Sequence, residues 1–251
     1  MSDRKYWESL LEPGILAVVG AGGKTTVVSK LGAVATSLRC PVVVTTTTKM
    51  GSEQVAPWKP YYGNDLALGE AHVVEQVKRG QMGAWFQAIA GHKVVGLESE
   101  LLDTLHDRHP DWSIVVEADG AKTKWLKAPK PHEPVIPTNT VTTIAVVNMR
   151  VLGKPLTEDY VHRIEEVQDI MDIPLGDRIT PEGVVRLLRH EQGVFQYARG
   201  KRIVFCTGCD TVDSTVVDAF LQALQSLSLH KVVLANGYRE NCCIQRILTW
   251  Q

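Results

Sequence analysis

No apolar stretch of this sequence approaches the ~20 residues that a membrane-spanning helix needs. The opening residues Met1-Ser2-Asp3-Arg4-Lys5-Tyr6-Trp7-Glu8 are polar and lead into no apolar run, so neither a signal peptide nor a transmembrane helix can be drawn. A cytoplasmic protein with no membrane partner is the expectation. Charge of one sign is also missing: 27 Lys and Arg face 28 Asp and Glu, a formal net charge of −1, and no long basic run occurs. That balance argues against nucleic acid or an anionic membrane as the main partner. Cysteines number five, which is odd, and so speak against a disulfide scaffold and for a reducing compartment. Cys206-x-x-Cys209 and the Cys242-Cys243 pair read as buried thiols in preference to a metal site. Internal repeats and low-complexity segments are absent as well. With 44% apolar and 22% charged residues over 251 positions, the chain is not disordered and can bury a sizeable core.

What the sequence does have is Gly20-Ala21-Gly22-Gly23-Lys24-Thr25-Thr26. The run Ile15-Leu16-Ala17-Val18-Val19 before it suits a buried parallel strand, and Val27 to Ala35 after it suits a helix packed on a sheet. A strand, a glycine turn and a helix opening on Gly-Lys-Thr make the context of a phosphate-binding loop. Backbone N–H groups at a helix N-terminus point at an anion, and glycine lets the chain curl close to it. Gly20, Ala21, Gly22, Gly23, Lys24, Thr25 and Thr26 are therefore the nucleotide-binding candidates. Lys24 is expected to reach the β- and γ-phosphates and Thr25 to ligate Mg²⁺. The usual spacing asks for a further glycine at position 18, where valine stands. The shortened Gly-x-x-Gly-Lys-Thr that remains is like the loop of some ATP-dependent ligases.

The chain in order predicts a short helix over 3–11, the loop strand and helix over 15–38, and a second strand from Val42 into Thr45-Thr46-Thr47-Thr48-Lys49-Met50. Ligands of open α/β sheets bind at the carboxyl ends of strands, which adds Thr47 and Thr48 to the nucleotide-binding candidates. Helices are expected over 65–79, 98–109, 157–171, 181–191 and 213–228, a hairpin-like stretch over 84–96, and further strands over 113–117, 143–147, 202–205 and 231–234. Alternation of this kind predicts an α/β fold of the P-loop NTPase kind, a mostly parallel sheet with helices on both faces. We expect one domain over 1–251, with room for a small helical insertion at about 150–195.

Ser113 to Lys122 carries the second chemical signal, an apolar strand that ends in Glu117-Ala118-Asp119-Gly120. Phosphoryl transfer needs one carboxylate in the Mg²⁺ shell and another to orient or activate a nucleophile. Asp119 is the metal candidate and Glu117 the second acid. The segment from Lys122 to Pro137 follows, with four lysines and four prolines. Such a stiff basic loop could gather an anionic second substrate or neutralise developing charge, and Lys127 is its catalytic candidate, with Lys122 and His132 beside it. With Lys24, Glu117 and Asp119 it completes the catalytic set.

Five motifs in order carry a resemblance over nearly the whole chain. They are Gly-Ala-Gly-Gly-Lys-Thr-Thr, Thr-Thr-Thr-Thr-Lys-Met, Glu-Ala-Asp-Gly-Ala-Lys, Lys-Ala-Pro before His-Glu-Pro-Val-Ile-Pro, and Val161-His162-Arg163. Together they resemble the YqeC-type family of selenium-dependent hydroxylase accessory proteins. The resemblance implies a phosphate-loop protein that takes ATP or GTP with Mg²⁺ and works with proteins that mature selenium- or molybdenum-dependent enzymes. It also marks Arg163 as a phosphate contact. Thr207-Gly208-Cys209-Asp210 stands where relatives can carry an Asn-Lys-x-Asp-like stretch, and Asn148-Met149-Arg150 where they more often show an acid, so no base is implied. Three functions share these residues: NTP hydrolysis or phosphoryl transfer, a nucleotide-dependent switch or chaperone on a protein partner, and an ATP-dependent kinase or ligase on a small acid.

Overall fold

The computed structural model describes residues 3–250, which divide into two compact units. The first comprises the chain up to Val18, Val27–Gly120 and Val135–Thr142; the second comprises Val19–Thr26, Ala121–Pro134 and the chain from Thr143 on. The fold is mixed α/β, and its main-sheet strands pair chiefly in parallel.

In the first unit α1 (Arg4–Glu8) is anchored by Trp7, whose indole N–H donates to Asp3 at 2.8 Å. β1 (Gly14–Gly20) and α2 (Lys24–Ser37) follow, with the loop between them lying in the second unit. Then come β2 (Val42–Thr46), β3 (Lys49–Gly51), α3 (Ser52–Val55), β4 (Tyr61–Tyr62), α4 (Leu66–Lys78), β5 (Gly83–Phe86), β6 (Ala88–Ala90), β7 (Lys93–Val95), α5 (Ser99–Arg108) and β8 (Ser113–Glu117). Parallel pairing runs β1–β8–β2–β5–β4. Every residue of β1, β2 and β8 is buried, as their continuous apolar runs require of strands covered on both sides. Ile15, Val43, Ile114 and Val116 pack with Val73, Trp85, Leu102, Leu105 and Trp112 in one cluster. Fully burying each such side chain is worth about 1.5–3 kcal/mol. Asp65 caps α4 by accepting the Leu68 N–H at 2.9 Å, which fixes the helix where the sequence places it.

Lys49 and Met50 do not continue β2. The chain bends at Thr47–Thr48, and β3 pairs antiparallel with β7, the inner strand of the β6–β7 hairpin.

The second unit holds β9 (Leu126–Lys127), most of β10 (Thr140–Asn148), β11 (Val161–His162), α6 (Ile164–Met171), α7 (Pro181–Arg189), β12 (Lys201–Thr207), α8 (Ser214–Leu224), β13 (Lys231–Asn236) and β14 (Cys243–Thr249). Sheet order is β10–β12–β13–β14, with β12 and β13 parallel and β14 antiparallel. Thr180 accepts the Gly183 N–H at 3.1 Å and Pro181 takes the first helical position, so α7 starts as its sequence dictates. The helix expected from 157 begins only at Ile164. Val161 and His162 instead pair in parallel with Leu126 and Lys127, and Arg163, at φ 61°, cannot extend a helix backward.

Candidate functional site

The glycine loop folds as its residues demand. Gly20 has φ 91° and Gly22 φ 73°, in the region that costs a side chain most. Space forbids a side chain as firmly as conformation does. A Cβ on Gly20 would stand 2.5 Å from the Val146 carbonyl oxygen, and one on Gly22 2.5 Å from Asn148 Cβ. The Lys24 ammonium donates to the Gly20 carbonyl at 2.8 Å, so the side chain reaches back over the loop, and the residue is only 5% exposed. Thr25 and Thr26 fill the first turn of α2. A tight glycine turn, a helix start and a buried cation thus follow one another within a few residues.

Two strand ends of the same unit brace that loop. From β10, the Val146 carbonyl accepts the Ala21 N–H at 3.2 Å and Asn148 packs on Gly22. From β12, Thr207 donates its hydroxyl to the Gly22 carbonyl at 3.0 Å, and its methyl lies 2.9 Å from where a Gly23 Cβ would be. Asn148 and Thr207 are support residues that motif reading missed; each is a polar residue ending an apolar strand, and that was their signal.

In the first unit the acidic strand end lies level with β1. Glu117 registers with Val18, two residues before Gly20, and the Ala118 N–H donates to the Val18 carbonyl at 2.9 Å. Glu117 and Asp119 are 7% and 2% exposed. The threonine run clasps this strand. Thr46 donates its hydroxyl to the Glu117 carbonyl at 2.6 Å, and Thr47 donates its N–H to the same carbonyl at 3.2 Å and its hydroxyl to the Val135 carbonyl at 2.7 Å. Thr48 gives its N–H to the Thr46 hydroxyl. At least part of the hydroxyl run is thus a clamp on the Glu117 strand.

Lys127 sits in the second unit with its side chain 1% exposed and its ammonium 3.1 Å from Glu133. Arg163 grips the same carboxylate with two hydrogen bonds, 2.7 and 2.9 Å, and donates to the Ala128 carbonyl. Burial alone would raise the Glu133 carboxyl, but the Arg163 hydrogen bonds and the Lys127 charge outweigh it and hold it at about 2. Gln196 donates to the Lys130, Pro131 and Glu133 carbonyls and so fixes the loop that carries the acid. His162 is pulled down by burial and then by Arg163, Lys122 and Lys127, with Glu133 opposing. Lys122 and His132 are exposed. Glu133 is the hub that the sequence reading did not identify.

A family model described as "YqeC protein" matches residues 16–165. The protein YqeC of Escherichia coli strain K12 is 31% identical over 222 residues, 88% of this chain and 85% of that protein. The chain belongs to the YqeC family. The matched segment runs from β1 to the start of α6 and so contains the glycine loop, the threonine clamp, the acidic strand end and the Lys127–Glu133–Arg163 triad. Among solved structures, one titled FlhF complexed with GTP and Mg²⁺ has 12% identity and a TM-score of 0.41, covering 97% of this chain and 74% of that one. FtsY from Mycoplasma mycoides has 10% identity and a TM-score of 0.37, over 94% and 65%.

Beyond the family, no helix among the described residues is long and apolar enough to cross a membrane. No group of three or more His, Cys, Asp or Glu side chains among them is placed to hold a metal by itself. Cys206 is fully buried and its thiol is pushed well up, by burial first and the nearby Cys209 second.

Proposed function

We propose that this member of the YqeC family binds the triphosphate of ATP or GTP, with Mg²⁺, at Gly20–Thr26. It hydrolyses the nucleotide or transfers its terminal phosphoryl group, in support of the maturation of selenium-dependent molybdenum hydroxylases. The observation that carries the reading is the loop itself, with Gly20 and Gly22 in positive-φ conformations, a 14-residue helix opening at Lys24, and the Lys24 ammonium folded back to the Gly20 carbonyl. A phosphate fits that space because its charge meets the helix N-terminus and the ammonium together. The Thr25 hydroxyl and the buried Asp119 carboxylate are hard oxygen donors of the kind Mg²⁺ takes. Bound Mg²⁺ supplies charge neutralisation at the phosphates. To Glu117, on a strand end clamped by Thr46 and Thr47, we assign the carboxylate that orients a nucleophile.

The test is equilibrium binding of ATP and GTP with and without Mg²⁺. Lys24→Ala, checked for fold by circular dichroism, should lose both nucleotides, since its charge faces phosphate. Asp119→Asn should keep metal-free binding and lose about 10²–10³ of the Mg²⁺-dependent turnover. Wild-type nucleotide affinity in a folded Lys24→Ala protein overturns the reading.

A further inference from the structure

Four side chains of the second unit form a ladder of two rings with a cation at each end, which phosphate chemistry does not use. The Arg150 guanidinium lies 4.6 Å over the Trp125 ring centroid. Trp125 and Tyr160 follow at 5.0 Å between centroids, and the Lys154 ammonium stands 6.0 Å over Tyr160. Arg150 is exposed while both rings are half-buried. The ladder therefore ends in a flat cation with one face on an indole.

Its location gives the ladder a meaning. Arg150 is tied into the same circuit of contacts that braces the glycine loop. Its N–H donates to the Asn148 side chain at 3.1 Å, and Asn148 packs on Gly22. Its Cγ lies 3.2 Å from where a Cβ on Gly208 would be, so the arginine stem leans on the backbone just after β12. Thr207, next in the chain, closes the circuit with its bond to the Gly22 carbonyl. Asp210 stiffens this floor by accepting the Gly237 N–H at 2.8 Å. A guanidinium held in this way presents a weakly hydrated planar face, and such a face stacks on aromatic rings.

We propose that Arg150, backed by Trp125, is the platform on which the nucleobase of the bound nucleotide stacks. The proposal rests on the nucleotide-binding reading and adds to it the group that holds the other end of the ligand. The base lies against the exposed face of the guanidinium, and the phosphates lie on the glycine loop two contacts away. The platform meets only the flat face of the base, so it serves either purine.

Tripolyphosphate separates the two ends, because it keeps three phosphates and has no base. Binding of MgATP, MgGTP and Mg-tripolyphosphate is measured by calorimetry on the wild type, Arg150→Ala, Trp125→Leu and Lys24→Ala, each with a thermal melt to confirm folding. The wild type should bind either nucleotide at least tenfold more tightly than tripolyphosphate. Arg150→Ala should erase that advantage while leaving tripolyphosphate affinity unchanged, and Trp125→Leu should erase part of it. Lys24→Ala should weaken all three ligands. Equal losses for nucleotide and tripolyphosphate in Arg150→Ala would place the arginine on phosphate and overturn the proposal, and so would no loss at all. A wild type that binds neither nucleotide nor tripolyphosphate overturns the nucleotide reading itself, and the platform with it.

Discussion

Thr207 and Gly22, 185 positions apart in the chain, are joined by a hydroxyl-to-carbonyl hydrogen bond of 3.0 Å. The bond orients the glycine loop from outside, because nothing in the loop's own sequence fixes which way the Gly22 carbonyl turns. Thr207 is 1% exposed, so its partner cannot be replaced freely by water. Thr207→Val keeps the shape and removes the bond. Losing a hydrogen bond to the half-buried Gly22 costs about 0.5–1.5 kcal/mol, and the expected result is a lower melting temperature together with weaker binding of tripolyphosphate. Calorimetry and a thermal melt read both. An unchanged pair of values would show that the loop holds its shape alone.

Gly20→Ala tests the loop where relaxation is hardest. The new methyl would meet a backbone carbonyl at 2.5 Å, and a backbone cannot swing aside as a side chain can. The φ of 91° adds a further ~1–3 kcal/mol of strain for a residue with a Cβ. We expect phosphate binding to be lost and stability to fall by more than that strain alone, measured by urea unfolding. A stable Gly20→Ala protein with wild-type affinity would contradict the close packing of the loop on Val146.

The glycine loop was legible because its backbone asks for glycine where φ is positive. Gly20 and Gly22 are needed for conformation, and Lys24 and Thr25 for charge and for helix start. Strands β1, β2 and β8 were legible because both faces are covered, which leaves unbroken apolar runs. β14 was not, since Cys243–Thr249 is a strand with one buried position, Ile244, and no such run. β11 was hidden for a different reason. Val161 and His162 sit in a stretch that reads as helical, and only their pairing with Leu126 and Lys127 makes them a strand. Glu133 could not be recognised as a hub, because its two cations come from positions 127 and 163 and meet only in space.

The thiols give a chemical check on the second unit. Burial, more than any other influence, pushes Cys209 up to about 11 and Cys206 well above the ordinary thiol value. The thiolate is the reactive form, so both should resist alkylation near neutral pH. Cys40 is exposed and should react first. Mass spectrometry of iodoacetamide-labelled peptides from native protein should find the label on Cys40, with Cys206 and Cys209 modified only after denaturation. Rapid native labelling at Cys206 would mean that the end of β12 opens readily.

The Lys127–Glu133–Arg163 triad makes a prediction about acid. The Glu133 carboxyl is held at about 2 in the fold against an ordinary 4.5, so the folded state binds this proton less well than the unfolded chain does. Stability from the ionised form is therefore complete above about pH 4.5 and is lost as pH falls through about 2. Glu133→Gln removes the charge at every pH and leaves a lysine side chain 1% exposed and an arginine 11% exposed with no counter-charge from this residue. Breaking one partner from such a buried set costs about 3 kcal/mol. The variant should melt well below the wild type at pH 7, and the gap should narrow as both are taken from pH 4.5 toward pH 2. Melting curves across that range decide the point, because the wild type loses a stabilising group that the variant never had. A gap that stays constant with pH would mean that Glu133 acts through shape and its hydrogen bonds, not through its charge.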